Sequence, residues 1–344
     1  MKASPTIQAK RRHRAATSFT LIALSCLIAC AVVGCSAQSG TSSGSSSSGS
    51  SAQTKKVVIG TLATEDILPM WVAKDQNLFA EEGIEGDVQV FQSATELISA
   101  VSSGSVDFAM TDPMVAASLC AGATDVRAEW VTLGTDASQG RFGIMTSADS
   151  GITSLSQLAD TPIGVGSNTI LEYVMDKLME QAGIPDDQIK TEELQKLPVR
   201  YQAMTSHQVA AAALPASLLA LGESSGCVLL ADDTQGDNIS QSIMIVRSDF
   251  LKKDGGQSTL ESLERVWNTA VDKINANPES YRDLLAANAN LSENVAATYK
   301  ISKYPHAQMP TSEMINPVLD WMSKKGYLQT PLTYDEQTGS FTTA

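Results

Sequence analysis

The chain has 344 residues, 43% of them hydrophobic, so it can bury a substantial core and is long enough for two domains. Its formal net charge of −14 argues against a nucleic-acid partner, because no basic surface is implied. The 5 Cys and 3 His residues are scattered without metal-ligand spacing, so we expect neither a metal site nor a cofactor.

The first 34 residues predict a secretory leader, because a basic segment precedes a long apolar run. A membrane-spanning anchor is the alternative, since the run approaches the roughly 20 residues that a span needs. The run ends in Val32-Val33-Gly34-Cys35, which resembles the lipobox of bacterial lipoproteins. We therefore expect cleavage before Cys35 and lipidation of its thiol. Residues 35–54 are rich in Ser and Gly, which predicts a flexible tether.

The next segment alternates short apolar runs with helical patterns. We predict strands at residues 55–62, 87–91, 106–110 and 130–134. Three helices are predicted here. The first begins at Pro69, the second is capped by Ser93 with Glu96 in a capping box, and the third follows Asp112. The first of these helices is predicted to run unbroken to Gly83. This β-α-β-α-β-α-β order predicts a parallel sheet with right-handed crossovers.

The rest of the chain repeats the alternation and then becomes helical. Further strands are predicted at residues 142–146, 162–166, 188–194, 209–214, 227–231 and 241–247. A long helix is predicted after Thr169, and another begins at Pro215. From Leu251 onward the apolar spacing predicts helices, interrupted at Gly255-Gly256 and Pro278.

Four segments, in this order, resemble the periplasmic solute-binding proteins that serve ABC importers of nitrate, sulfonates, taurine and thiamine precursors. Residues 58–84 resemble the opening strand, loop and helix of that family, although Asn77 stands where the family often has Gly. Residues 97–108, 149–158 and 163–173 resemble three later family segments. The resemblance implies an α/β fold, a two-lobe clamshell of type II in which each lobe is a mostly parallel sheet flanked by helices.

The same resemblance implies how the chain is divided. Lobe 1 would comprise residues 55–138 plus 249–344, and lobe 2 residues 139–248. Two crossing strands, near residues 139–147 and 241–248, would join the lobes.

The resemblance implies an extracytoplasmic receptor that binds one small molecule between its lobes and delivers it to an ABC permease with a separate ATPase. With the lipid anchor, this places the protein in the cell envelope, outside the cytoplasmic membrane, and we expect a monomer. A ligand sensor for a membrane partner uses the same clamshell and stays open as an alternative. We expect no catalysis, because no Gly-x-Ser-x-Gly, P-loop or His-Glu-x-x-His motif occurs and neither His207 nor His306 has an evident Ser or Cys partner.

Ligands of open α/β sheets bind in the loops between strand ends and helix starts, so we predict the site there. The candidates are Thr61, Leu62, Thr64, Glu65, Asp66, Ser93, Thr95, Thr111, Asp112, Ser167, Asn168, Thr169 and Pro215, together with Trp71 in the first helix and Arg141 at the first crossing.

Each candidate also has a purely structural interpretation. Ser93, Asp112 and Thr169 can be helix caps, Trp71 can be a core residue, and Arg141 can be a hinge ion pair. The three carboxylates Glu65, Asp66 and Asp112 favour a small polar or nitrogen-containing ligand, neutral or cationic. A sulfonate or nitrate receptor of the same fold is the alternative, for which Arg141 could clamp the anion.

Overall fold

A computed structural model describes residues 55–289 and 291–343. The predicted leader, Cys35 and the tether lie outside the described residues. Among the described helices, none combines the length and hydropathy of a membrane span.

Lobe 1 is built on a seven-stranded mixed sheet. Its strands are β1 Lys55–Leu62, β2 Ile84–Phe91, β3 Phe108–Thr111, β4 Val126–Leu133, β10 Ser242–Arg247, β11 Leu332–Asp335 and β12 Ser340–Thr343. The order across the sheet is β11-β12-β4-β10-β3-β1-β2. β1 pairs in parallel with β2 and β3, whereas β10 lies between β3 and β4 and is antiparallel to both.

Lobe 2 is built on a five-stranded sheet. Its strands are β5 Phe142–Thr146, β6 Pro162–Val165, β7 Lys190–Glu193, β8 Ala211–Pro215 and β9 Val228–Asp232, in the order β7-β6-β8-β5-β9. β6 is parallel to β7 and β8, but β5 is antiparallel to β8 and β9. Most strands of each sheet therefore point the same way, as predicted, and the exceptions are β10 and β12 in lobe 1 and β5 in lobe 2.

Helices flank both sheets. Lobe 1 carries α1 Leu68–Asp75, α2 Leu78–Glu81, α3 Ala94–Ser102, α4 Pro113–Ala121, α8 Ser248–Leu251, α9 Gly256–Ala276, α10 Arg282–Asn288, α11 Glu293–Ala296 and α12 Ser312–Lys325. Lobe 2 carries α5 Ile170–Gln181, α6 Leu197–Thr205 and α7 Ala216–Ser224. Short 3₁₀ turns occupy Glu65–Ile67, Leu155–Leu158, Asp186–Gln188 and Pro278–Tyr281.

The sheets divide the chain slightly differently from the predicted boundaries. β10, at Ser242–Arg247, was included in predicted lobe 2 but pairs in the lobe 1 sheet. The two connections between the sheets are accordingly residues 134–141 and 233–241, each earlier than the predicted crossing. An apolar run predicts a buried strand but carries no information about which sheet it joins.

Two local predictions also differ from the structure. The helix predicted from Pro69 to Gly83 is broken into α1 and α2 at Asn77, which has the left-handed φ of 59° that favours Gly and is tolerated by Asn. The C-terminal segment predicted as helical ends in the β11–β12 hairpin, whose outer strand alternates buried and exposed residues.

The two lobes touch along α5. One hydrophobic cluster continues from the helices of lobe 1 into lobe 2, and the Tyr173 and Trp321 rings meet edge to face at 5.4 Å. The Trp321 Nε1 donates to Asp176 Oδ2 at 2.9 Å, and Tyr327 Oη donates to Glu172 Oε2 at 2.7 Å. Lys325 pairs with the same Asp176 at 2.9 Å. The two lobes are therefore in direct contact in this structure.

Candidate functional site

A small cavity lies between the lobes, where strand ends and helix N-termini of both sheets meet. We call it the central cavity. Its volume of about 60 Å³ leaves room for a few water-sized groups, each of which needs about 10–15 Å³. Seven predicted residues line it: Leu62, Thr64, Asp66, Thr111, Asp112, Thr169 and Pro215. The other lining residues are Ala94, Met110, Phe142, Ile170, Leu171, Gln195, Leu197, Arg200 and Ser242.

Asp112 links the two lobes at this cavity. Its Oδ1 accepts a hydrogen bond from Val115 N at 2.8 Å and so caps α4, as the Asp-Pro sequence predicted. Its Oδ2 accepts a hydrogen bond from Ile170 N at 3.2 Å. Ile170 is the first residue of α5 in lobe 2. Burial raises the pKa of Asp112 from 3.8 to about 6, although these backbone donors partly oppose the rise.

The side chain of Thr169 does not cap α5. Its Oγ1 donates to Gly166 O at 2.7 Å, and Glu172 instead accepts from Asn168 N at 2.6 Å. The capping box predicted from Thr169 and Glu172 is therefore incomplete. The carboxylate of Asp112 occupies the helix terminus in its place.

Asp66 is the second buried carboxylate of the central cavity. Its Oδ2 accepts a hydrogen bond from Ser242 Oγ, a residue at the start of β10. Burial raises the pKa of Asp66, and the Ser242 hydroxyl opposes that rise.

Arg200 is a buried cation that the sequence analysis did not select. Its side chain is 1% exposed and donates to three carbonyl oxygens, those of Leu194 at 2.8 Å, Ala213 at 2.9 Å and Gln195 at 3.3 Å. Among the described residues no carboxylate lies within ion-pair distance of it, and burial lowers its pKa to about 10. Gly166 makes room for it, since a Cβ there would lie 2.6 Å from Nη2.

A second pocket lies beside the two connections between the lobes, and we call it the hinge-side pocket. Its volume is about 580 Å³, within the range of small-molecule sites. It is lined by Glu65, Ser138, Gly140, Arg141, Ala216, Ala220, Glu223, Ser224, Thr234, Gln235, Val295, Thr298, Tyr299, Lys300 and Ser302. Two predicted residues, Glu65 and Arg141, therefore lie here rather than in the central cavity.

The two predicted residues of this pocket differ in whether their charged groups have partners. Arg141 pairs with Glu223 at 2.8 Å and with Asp232 at 3.0 Å, which matches the structural interpretation of a paired arginine. Glu65 is 4% exposed, and its Oε2 finds no donor among the described residues. Burial, and then the charge of Asp66, raises the pKa of Glu65 from 4.5 to about 8.

The remaining predicted residues lie outside both pockets. Trp71 is buried in the core of lobe 1, and Ser93 caps α3 by accepting from Glu96 N at 3.2 Å. Thr61 Oγ1 donates to the neighbouring Leu62 O, and Thr95 is exposed on α3.

Two more predicted residues sit just before α5. Ser167 hydrogen-bonds Glu193, whereas the Nδ2 of Asn168, at a left-handed φ of 58°, donates to Ser118 Oγ of lobe 1 at 2.7 Å. Asn168 thus contributes to the contact between lobes without lining the cavity.

The residues that were missed gave little signal in the sequence. Arg200 lies in a short helix of mixed polarity, and Ser242 opens a strand. Tyr299 lies far from Glu65 along the chain. Only the packing of separate segments brings these side chains to the cleft.

The expectation that His207 lacks a Ser partner is wrong. His207 Nδ1 lies 3.2 Å from Ser147 Oγ, and its Nε2 lies 3.1 Å from Asp149 Oδ1. Ser147 is nevertheless 4% exposed, and none of the three lines either cleft pocket. A nucleophilic serine needs access to a substrate, so this contact does not make an active site.

Solved structures with the same fold include both binding proteins and an enzyme. The alkanesulfonate-binding protein SsuA from Xanthomonas axonopodis pv. citri, bound to MOPS, is 16% identical, with a TM-score of 0.68 over 79% of this chain and 94% of that one. The ligand-binding component of an ABC-type import system from Staphylococcus aureus, with zinc bound, is also 16% identical, with a TM-score of 0.69 over 82% and 95%. The desulfurization enzyme DSZB is 14% identical, with a TM-score of 0.61 over 80% and 94%.

At these identities the likeness establishes the fold alone, and it confirms the predicted α/β periplasmic-binding-protein architecture. No curated protein sequence matches the chain. Within residues 55–289 and 291–343, no three His, Cys, Asp or Glu side chains are grouped as a metal site requires. The family model "NMT1/THI5 like" matches residues 64–281, which is more than half of the chain. The predicted family is thereby confirmed, and the chain belongs to the NMT1/THI5-like family.

Proposed function

We propose that this protein is the extracytoplasmic solute-binding receptor of an ABC importer and that it delivers a small molecule to a membrane permease with a separate ATPase. The family and the fold support the receptor predicted from the sequence. The observation that carries the proposal is the central cavity, which both lobes line and in which strand ends and helix N-termini converge.

The site residues proposed for the ligand are Asp66, Asp112 and Arg200. Each is buried, burial shifts the pKa of each toward the value that favours its neutral form, and each lines the cavity. Leu62, Met110 and Phe142 supply apolar walls. Such a mixture of apolar walls and a few polar groups is typical of small-molecule sites.

Binding would work through the equilibrium between open and closed lobes. The cavity is small when the lobes touch, so a ligand must enter while they are apart. A ligand that contacts both lobes then favours closure by its greater affinity for the closed form. Asp112 already bonds Ile170 across the lobes, so it would report on closure as well as contact the ligand.

The buried carboxylates support a small polar, nitrogen-containing ligand. Asp66 and Asp112 need donors when ionised, and a nitrogen-bearing donor group supplies them. Arg200 supports the second candidate, a sulfonate or other anion, because a buried guanidinium without a carboxylate partner is a strong anion donor. Titration of the purified protein with 2-aminopyrimidine and with ethanesulfonate compares the two. Tighter binding of ethanesulfonate, lost in Arg200→Gln, would establish the anion receptor.

The receptor itself can be tested without knowing the ligand. Mass spectrometry of small molecules released from the purified protein should identify a bound solute. Adding that solute back should raise the melting temperature and reduce the radius of gyration in solution scattering. Stabilisation by about 2.7 kcal/mol is expected at a hundredfold excess over Kd. A solute that binds tightly without changing the shape would contradict the clamshell mechanism.

The proposal includes a lipid anchor at Cys35, a tether at residues 35–54 and a monomeric receptor in the cell envelope. Its support is the sequence Val32-Val33-Gly34-Cys35 after a basic and an apolar segment. A sensor for a membrane partner would carry the same anchor. Loss of solute uptake on deletion of the gene distinguishes transport from sensing.

We further propose that the chain catalyses no reaction. DSZB demonstrates that this fold can hold an enzyme, so the test is direct. The solute recovered after prolonged incubation with the protein should be chemically unchanged.

A further inference from the structure

We propose that the hinge-side pocket is a subsite for a primary ammonium group, which Glu65 binds through its unsatisfied carboxylate oxygen. This inference rests on the proposed function, because it names a chemical feature of the solute. It assigns the amine to Glu65 rather than to the carboxylates of the central cavity.

The first observation is a buried acceptor that lacks a donor. Glu65 is 4% exposed, and its Oε2 has no hydrogen-bond partner among the described residues. Buried polar atoms in native proteins are nearly always paired, so an unpaired one at the wall of a pocket points to a missing partner. The pocket that Glu65 lines has a volume of about 580 Å³, ample for an alkylammonium group.

The second observation is the charge around Glu65. Asp66 repels it, and the hydroxyl of Tyr299 and the guanidinium of Arg141 only partly offset its burial. Tyr304 Oη donates to the backbone oxygen of Glu65 at 2.7 Å, not to its carboxylate. Arg141 is itself occupied by Glu223 and Asp232, and Lys300 is exposed. Among the described residues of the pocket wall, the Glu65 carboxylate is therefore the buried charged group that has no ion-pair partner.

The chemistry of the wall selects among possible partners. An anion would meet Glu65 and Glu223, and Arg141, a cation of the same wall, is already doubly paired. A divalent metal ion needs several oxygen or nitrogen ligands, and no group of three is present in the described part of the chain. A primary ammonium needs fewer, since one carboxylate, one phenol hydroxyl and hydroxyls such as those of Thr298 and Ser302 can accept its three N–H groups.

The position of Glu65 lets one solute use both pockets. Glu65 and Asp66 are consecutive residues in one 3₁₀ turn, with Asp66 lining the central cavity and Glu65 the hinge-side pocket. A solute with a polar group beside Asp66, Asp112 and Arg200 could therefore extend its amine past this turn. The central cavity would select one end of the solute and Glu65 the other.

The test uses n-butylammonium chloride as the probe and the full-length protein. Affinity is measured by calorimetry at pH 7 and compared with 1-butanol, which has the same shape without the charge, and with tetramethylammonium, which has the charge without an N–H donor. Glu65→Gln is the variant, since it keeps the size of the side chain. Glu129→Gln is the matched control, because Glu129 is also buried but lies on β4 beside Arg127.

Butylammonium should bind more tightly than either comparison compound, and Glu65→Gln should weaken it at least about tenfold while Glu129→Gln leaves it unchanged. Calorimetric titrations in phosphate and in imidazole buffer, which differ in ionisation enthalpy and contain no primary amine, should reveal a proton released on binding to the wild type and none released by Glu65→Gln. Equal affinity for butylammonium in the wild type and Glu65→Gln would overturn the proposal. So would a loss caused by Asp66→Asn but not by Glu65→Gln, since the amine would then occupy the central cavity.

Failure of the subsite and failure of the receptor are distinguishable. If the copurified solute still closes the lobes but the affinity for butylammonium does not depend on Glu65, only the subsite proposal is wrong. If the affinity for butylammonium depends on Glu65 but no solute closes the lobes, the subsite proposal is supported and the receptor function is contradicted.

Discussion

The carboxylate of Asp112 should make the stability of this protein fall as the pH rises. In the folded state its pKa is raised by burial from 3.8 to about 6. Between these two values the folded protein holds a proton that the unfolded chain releases, so the free energy of unfolding decreases with pH. Below pH 3.8 Asp112 is protonated in both states, so the free energy of unfolding no longer changes with pH through this group. Above about pH 6 the loss is complete.

The magnitude follows from the size of the shift. Each pKa unit corresponds to about 1.4 kcal/mol, so roughly 3 kcal/mol is lost across this window. Asp112→Asn removes the titration. The asparagine amide oxygen can still accept the hydrogen bond from Val115 N. The amide nitrogen then faces Ile170 N, so two donors meet and the lost hydrogen bond lowers the free energy of unfolding by about 1–3 kcal/mol. The variant should therefore be the less stable protein at pH 4 and should recover roughly 3 kcal/mol relative to the wild type by pH 7.

Urea unfolding at pH 4, 5, 6 and 7, followed by tryptophan fluorescence, measures the difference directly. Asp283→Asn, at an exposed position of α10, controls for the loss of one negative charge. A stability difference between Asp112→Asn and wild type that does not change with pH would refute the reasoning. It would mean that Asp112 titrates alike in the folded and unfolded states.

Three further changes test other contacts. Arg200→Met should destabilise the protein by about 1–3 kcal/mol, because three buried carbonyl oxygens lose their donor; an unchanged urea midpoint would contradict this. Trp321→Phe should cost about 0.5–1.5 kcal/mol by removing the hydrogen bond to Asp176 while keeping the aromatic contact with Tyr173, and equal free energies of unfolding for the variant and the wild type would contradict this. Cys35→Ser should abolish incorporation of labelled palmitate; if the wild type carries no label either, the anchor is absent.

Local sequence patterns determined most of the elements and several of the functional loops. Short apolar runs gave the strands because buried strands exclude polar residues. The capping of α3 by Ser93 and of α4 by Asp112 could be predicted because a helix cap depends on residues only three positions apart. The rule that strand ends carry the ligand likewise placed Asp66, Thr111 and Pro215 at the cleft.

The pairing of distant segments was decided by the tertiary structure alone. Nothing local marks Ser242–Arg247 as a strand of lobe 1, because its neighbours in the sheet lie more than a hundred residues earlier. The β11–β12 hairpin was missed for a related reason, since its short strands gain their stability from β4 rather than from their own pattern.

The electrostatics of the site depended even more on the fold. The sequence indicated Glu65, Asp66 and Asp112 as acids near helix starts. It does not distinguish a solvated carboxylate from a buried one. Their raised pKa values come from burial in the folded protein, and Arg200 became a site candidate only when packing buried it among carbonyl oxygens. Desolvation depends on every segment that surrounds a group. The sequence could therefore name the acids of the cleft, whereas only the assembled lobes decided which of them lack a partner.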